Sequence, residues 1–207
     1  MKAAEKRRIA RAIKAAVPGL YEKGGVLAAT PRGRILRGIV LEGSAADPHG
    51  VYLWKFVQPL YVPSTEVVLL LGDRLGGGCK TWRVDEAEAA VAAIREEGVP
   101  FFGPIDSPEK LASWEYLDGK RNVHIREVKA YSLIAVGRFV EGIQALRQLA
   151  DSLREDDGEE MLPWDIEMRE RAERLAALAE TNPPAAHELL AEWEAETVSA
   201  LRLQDVP

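Results

Sequence analysis

The sequence predicts an α+β fold, a four-stranded antiparallel sheet packed with helices and followed by a helical C-terminal half. Three observations predict it. Runs rich in β-branched and aromatic residues concentrate between residues 34 and 84. The segments joining them are too short to hold crossover helices, so neighbouring strands must run antiparallel. From residue 85 onward the apolar spacing changes to three and four residues, the period of a helix.

Each element has a local reason. Residues 3–16 place Ile9, Ala12, Ile13 and Ala16 on one stripe of an amphipathic helix, which Pro18-Gly19 ends. Gly24, Gly25, Pro31 and Gly33 make the stretch up to residue 33 turn-rich. Strands are expected at 34–42, 51–58, 66–71 and 79–84, with Asp47-Pro48-His49-Gly50 as a turn. Asp85 has the features of an N-cap, with Glu88 at capping-box spacing, for a helix over 86–97 that Gly98 terminates. The segment 99–104 should cross the layer and bury Phe101 or Phe102, and Ser107-Pro108 opens a short helix. Helices at 123–136 and 139–154 break at Gly137, a charged linker follows at 155–160, and helices at 165–180 and 185–203 flank the Pro183-Pro184 stop. The expected organisation is a sheet domain over 1–120 and a helical extension over 121–207 on the same core.

Composition narrows the function classes. The 207 residues are 47% hydrophobic and 29% charged, an ordinary globular balance. One cysteine, Cys79, allows no intrachain disulfide. No run of 18 apolar residues suggests a membrane span, and the basic first residues lack the apolar core of a signal peptide, so a cytoplasmic protein is expected. The formal charge of −6 is unevenly distributed. Residues 1–14 carry +5, residues 15–140 are neutral, and residues 141–207 carry −11. Basic and acidic ends could attract each other within or between chains, whereas the acidic half argues against a nucleic-acid partner.

Two resemblances add to this reading. Glu127–Leu149, EVKAYSLIAVGRFVEGIQALRQL, resembles the turn region of a tetratricopeptide-type hairpin through Ala130, Tyr131, Ala135, Gly137, Arg138, Phe139 and Ala145. No second copy recurs, so the resemblance implies a helical hairpin rather than a repeat array. The order of a basic helix, a Gly-rich lead-in, strands carrying VYLWKFVQPLYVP and VVLLLGDRL, and then helices resembles bacterial proteins of the DUF4304 type. Some of these are encoded near polymorphic toxins, so the resemblance implies an immunity or accessory role, and it transfers no functional residue.

Motif chemistry is sparse. His49, His124 and His187 are not at metal-ligand spacing, and neither a metal nor a cofactor is expected. Gly72-Asp-Arg-Leu-Gly-Gly-Gly78 could cradle an anion with exposed amides, but it lacks the Lys-Ser/Thr of a phosphate loop and reads first as a hairpin tip. Cys79 lacks a visible base and reads as a small hydrophobe. Glu170 and Arg174 have the spacing of a helical ion pair. Tyr52, Trp54 and Phe56 share one strand face, as core or as a partner platform, with Lys55 on the other.

The first functional expectation is therefore a protein-binding module with a basic partner. Its contacts would come from Trp54, Lys55, Tyr61, Glu188, Glu192, Trp193 and Glu196. The alternative is a small-molecule or anion-binding enzyme in which His49, Asp73, Arg74, Gly76, Gly77 and Gly78 converge with strand-end acids. A third expectation is self-assembly through the helix at 185–203.

Overall fold

Two nine-residue strands, buried over most of their length, organise the N-terminal half. A computed structural model describes residues 3–45, 47–154 and 162–207; the charged linker expected at 155–160 lies outside them. The chain forms two compact units, a sheet unit (Met1–Gln58, Glu66–Ser107 and Ser199–Pro207) and a helical unit (Pro59–Thr65 and Pro108–Val198).

The sheet unit holds five strands in sequential order: β1 (Leu20–Lys23), β2 (Val26–Ala29), β3 (Ile35–Gly43), β4 (Val51–Pro59) and β5 (Leu71–Arg74). The antiparallel sheet has five strands rather than four: 79–84 forms no strand, and β1 and β2 form a hairpin in the stretch that reads as turns. Gly24 and Gly25, at φ +59° and +89°, make its two-residue turn, a backbone conformation that suits glycine. The expected pairing of 66–71 with 79–84 is corrected. Residues 66–70 run from a bend to a turn and join no ladder. The Gln58 amide takes a strand's place there, donating to the Glu66 carbonyl and accepting from the Val68 amide. The strand begins only at Leu71 and runs antiparallel to β4, with Trp54 opposite Arg74. In 79–84 only Trp82 pairs, and its partner is Val51 of β4. Both ends of the glycine stretch are thus tied to β4, and the stretch loops out of the sheet's edge between them.

Helices cover one face of this sheet. In α1 (Ala3–Ala16), Ile9, Ala10 and Ile13 are buried, and the helix packs on β1 and β3. α2 (Ala87–Ala93) does not start at Asp85. The Arg83 amide donates to the Glu86 carboxylate, and one 3₁₀ turn precedes the helix. Nor does Gly98 end it. A π-helical turn, Ile94–Gly98, continues into α3 (Val99–Phe102). A Cβ on Gly98 would lie 3.3 Å from the Ile39 side chain, so glycine here gives close approach to β3. Phe102 is buried, and Lys55 sits 5.1 Å over the Phe101 ring, which places the odd-numbered side of β4 under the helices.

The helical unit comprises α4 (Pro108–Ala112), α5 (Val123–Ala135), α6 (Phe139–Ser152), α7 (Pro163–Thr181) and α8 (Pro183–Ala200). Asn122 caps α5 by accepting from the His124 and Ile125 amides. Gly137, at φ +76°, turns α5 into α6 where the tetratricopeptide-like segment places it. Gly142 lets the hairpin close, since a Cβ there would come within 2.5 Å of Ile134. α6 packs between α5 and α7, and Leu146, Leu149, Ala172, Leu175, Leu189 and Leu190 are among the buried residues of the unit.

Candidate interaction surface

The face of the sheet opposite the helices is buried at one end and open at the other. On β4 Phe56 is fully buried, while Tyr52 and Trp54 are half-buried. Alternation puts the three rings on one side, and β3 and β5 supply their neighbours. The Arg74 guanidinium stacks 3.9 Å from the Tyr52 ring centroid and 4.6 Å from that of Trp54. Glu42 on β3 completes the group. It accepts the Trp54 indole N–H at 2.7 Å and lies 3.7 Å from the Arg74 guanidinium. Arg74 also donates to the Gly78 carbonyl at 3.3 Å, which ties the platform to the glycine loop. Arg74 keeps 31% of its side chain exposed and Glu42 keeps 51%. Three strands therefore hold a tryptophan, a tyrosine, an arginine and a glutamate in one fixed, partly open cluster.

The glycine loop satisfies much of itself. Gly76, Gly77 and Gly78 all have positive φ, at +73°, +79° and +81°. A Cβ on Gly76 would lie 3.0 Å from both Lys80 and Trp82, so the loop folds back tightly at that point. The Gly76 amide donates at 3.4 Å to the Glu97 carboxylate, and the Cys79 amide donates to the Gly77 carbonyl. Beyond it lies an open groove of about 520 Å³, lined by Asp47, Cys79, Lys80, Thr81, Arg83, Asp85 and Glu86. Two ion pairs occupy its walls, Arg83 with Asp47 at 2.8 Å and Lys80 with Glu86. The Arg83 hydrogen bond holds the Asp47 carboxyl below its ordinary value, and Lys80 does the same for Glu86. The groove's charges are largely spent on each other. None of the six residues expected to bind a small ligand lines it.

Those six engage separate partners. His49 is exposed in the β3–β4 turn, and its ring nitrogen lies 3.2 Å from Glu5 of α1. Asp73 is exposed, and its carboxylate accepts the amide of Arg74 at 2.7 Å. Arg74 belongs to the aromatic platform, and Gly76–Gly78 to the loop. Among the described residues no cluster of His, Cys, Asp or Glu could hold a metal ion.

The residues expected to contact a protein divide between surface and interior. Trp54 and Lys55 are half-buried on opposite sides of β4. Tyr61 is fully buried, and its hydroxyl bonds Ser132 of α5 at 2.8 Å. Trp193 is buried against Tyr131, with ring centroids 5.4 Å apart. Both rings serve the core of the helical unit and are withdrawn from any partner. Glu188, Glu192 and Glu196 are exposed along α8.

Sequence reasoning missed two groups. Glu42 completes the platform, and its only signal was its place on a neighbouring strand; Arg74, expected with the ligand-binding residues of the glycine loop, stacks on the platform instead. In the helical unit Glu127 is buried, 3.2 Å from Arg171. Burial pushes the Glu127 carboxyl up, with Arg171 partly opposing, and pushes the Tyr131 hydroxyl well up. The expected Glu170–Arg174 pair is not formed; Arg171 turns inward instead, and Glu170 and Arg174 stay exposed. Among the described residues no helix is long and apolar enough to cross a membrane. Compared with known family models, curated proteins and solved structures, the chain matches none.

Proposed function

We propose that the chain is a cytoplasmic protein-binding module that docks a basic partner on the open end of its sheet, in an immunity or accessory role. One observation carries this reading. The Tyr52–Trp54–Glu42 cluster already holds a guanidinium, that of the chain's own Arg74. Aromatic faces and a carboxylate in this arrangement suit a second cation, and tryptophan, tyrosine and arginine are the residue types that dominate binding energy at protein interfaces. The cluster sits on paired strands, so little side-chain freedom is lost on docking. Glu42, Asp73 and Glu97 outnumber Arg74 and Lys80 around the loop, which leaves the local balance negative and suited to steering a basic surface inward.

The test follows the five tryptophan indole N–H signals by NMR, with Trp54 assigned through Trp54→Phe. An arginine-rich peptide should shift the Trp54 signal first, a glutamate-rich peptide of equal length should not, and Glu42→Gln should weaken the response about tenfold. Equal shifts from both peptides, or none from either, would overturn the reading.

A further inference from the structure

A second surface is independent of the platform. The solvent side of α1 carries Arg7, Arg8, Arg11 and Lys14, all exposed, while Ile9, Ala10 and Ile13 on the other side are committed to the sheet unit's core. The one acid of α1, Glu5, faces His49. Among the described residues none of these four cations has a carboxylate partner; Lys14 lies over the Tyr21 ring and Arg11 reaches only the Arg7 carbonyl. The committed apolar side leaves nothing to insert into a lipid surface, so the free side is purely electrostatic.

The helical unit has the complementary feature. It pairs many of its carboxylates internally: Glu173 with Arg154, Glu180 with Arg147 and Glu127 with Arg171. α8 is different. Its inner side, Leu189, Leu190, Trp193 and Thr197, is buried. Its outer line, Glu188, Glu192 and Glu196, is exposed and carries no ion pair among the described residues. At a rise of about 1.5 Å per residue this line spans about 12 Å, and Arg7, Arg11 and Lys14 span about 10 Å on α1. Sign, spacing and length match.

We propose that the basic face of α1 docks on the acidic line of α8 in a second copy of this chain. Each copy offers both halves of the contact, so two copies can satisfy each other reciprocally and further copies can add through the same pair of surfaces. The charges are solvent-exposed, so assembly is weak and salt-sensitive.

Sedimentation velocity tests this on the full chain. Wild-type protein should associate at about 50 mM salt and become at least about tenfold weaker in association at about 300 mM, where screening is within a few ångströms. The Arg7→Glu/Arg11→Glu variant and the Glu188→Lys/Glu192→Lys variant should each be monomeric, with folding checked by circular dichroism. An equimolar mixture of the two should associate again, because every contact between them is then of opposite charge. Trp54→Ala should leave association unchanged, which separates this surface from the platform. A wild-type chain that stays monomeric at low salt, a mixture that fails to associate, or a monomer whose α1 instead retains a DNA duplex would each overturn the proposal.

Discussion

Arg74 shows how a single residue can determine what a surface offers. On an edge strand its side chain could extend into water. Instead the aromatic pair on β4 gives the guanidinium a π surface and Glu42 gives it a counter-charge, so the cation is held flat against the sheet. Glu127 is the opposite case, a carboxylate placed in the core of the helical unit. Its folded-state pKa lies above its ordinary value because burial disfavours the charge more than Arg171 favours it. The linkage follows from that sign. The contribution of Glu127 to stability is fully present below the ordinary carboxylate range and is lost as pH rises through the raised folded-state value. Glu127→Gln lacks this dependence. Its stability relative to wild type, measured by urea unfolding, should therefore improve steadily from pH 4 to pH 7. A difference that stays constant across that range would show that burial and Arg171 cancel, and one that runs the other way would show that Arg171 dominates; either would contradict the raised value.

At the scale of elements, glycine spacing explains both what was legible and what was not. Gly137 between two helical patterns announced the α5–α6 turn, and Pro183-Pro184 announced the start of α8. The β1–β2 hairpin carried its own signal, two glycines between short apolar runs, but strands of four residues are too brief to show a period. The run at 66–70 has strand composition and no strand partner, because a side-chain amide from Gln58 reaches its backbone first. Gly38 was not legible at all. It lies inside β3 opposite Ala28, at φ +147°, and a Cβ there would fall 2.0 Å from the Leu27 carbonyl oxygen. Glycine is what lets β2 pair with β3. Gly38→Ala should cost at least about 3 kcal/mol, since backbone on a neighbouring strand, unlike a flexible side chain, cannot move aside. A urea midpoint within error of wild type would contradict this account of the β2–β3 register.

The whole molecule sorts charge and aromatic surface in a way that composition only hints at. Net charge along the chain revealed a basic beginning and an acidic end. It could not show that α7 spends acids on α6 while α8 leaves three outside, because pairing depends on which helices pack together. Likewise, the aromatic strand was legible as a strand, but which of its rings stayed open depended on how each end of the sheet is covered. Phe56 was drawn inside, while Tyr52 and Trp54 were left half-open beneath Arg74. This open end is the surface proposed to dock a basic protein. The most direct measurement is quantitative affinity capture from native lysate with wild-type chain and with a Glu42→Lys variant of matched thermal stability. The expected result is a captured protein of basic isoelectric point that wild type retains and Glu42→Lys loses by about tenfold or more, with the arginine-rich peptide competing for it. Equal retention of that protein by the folded Glu42→Lys chain would contradict it.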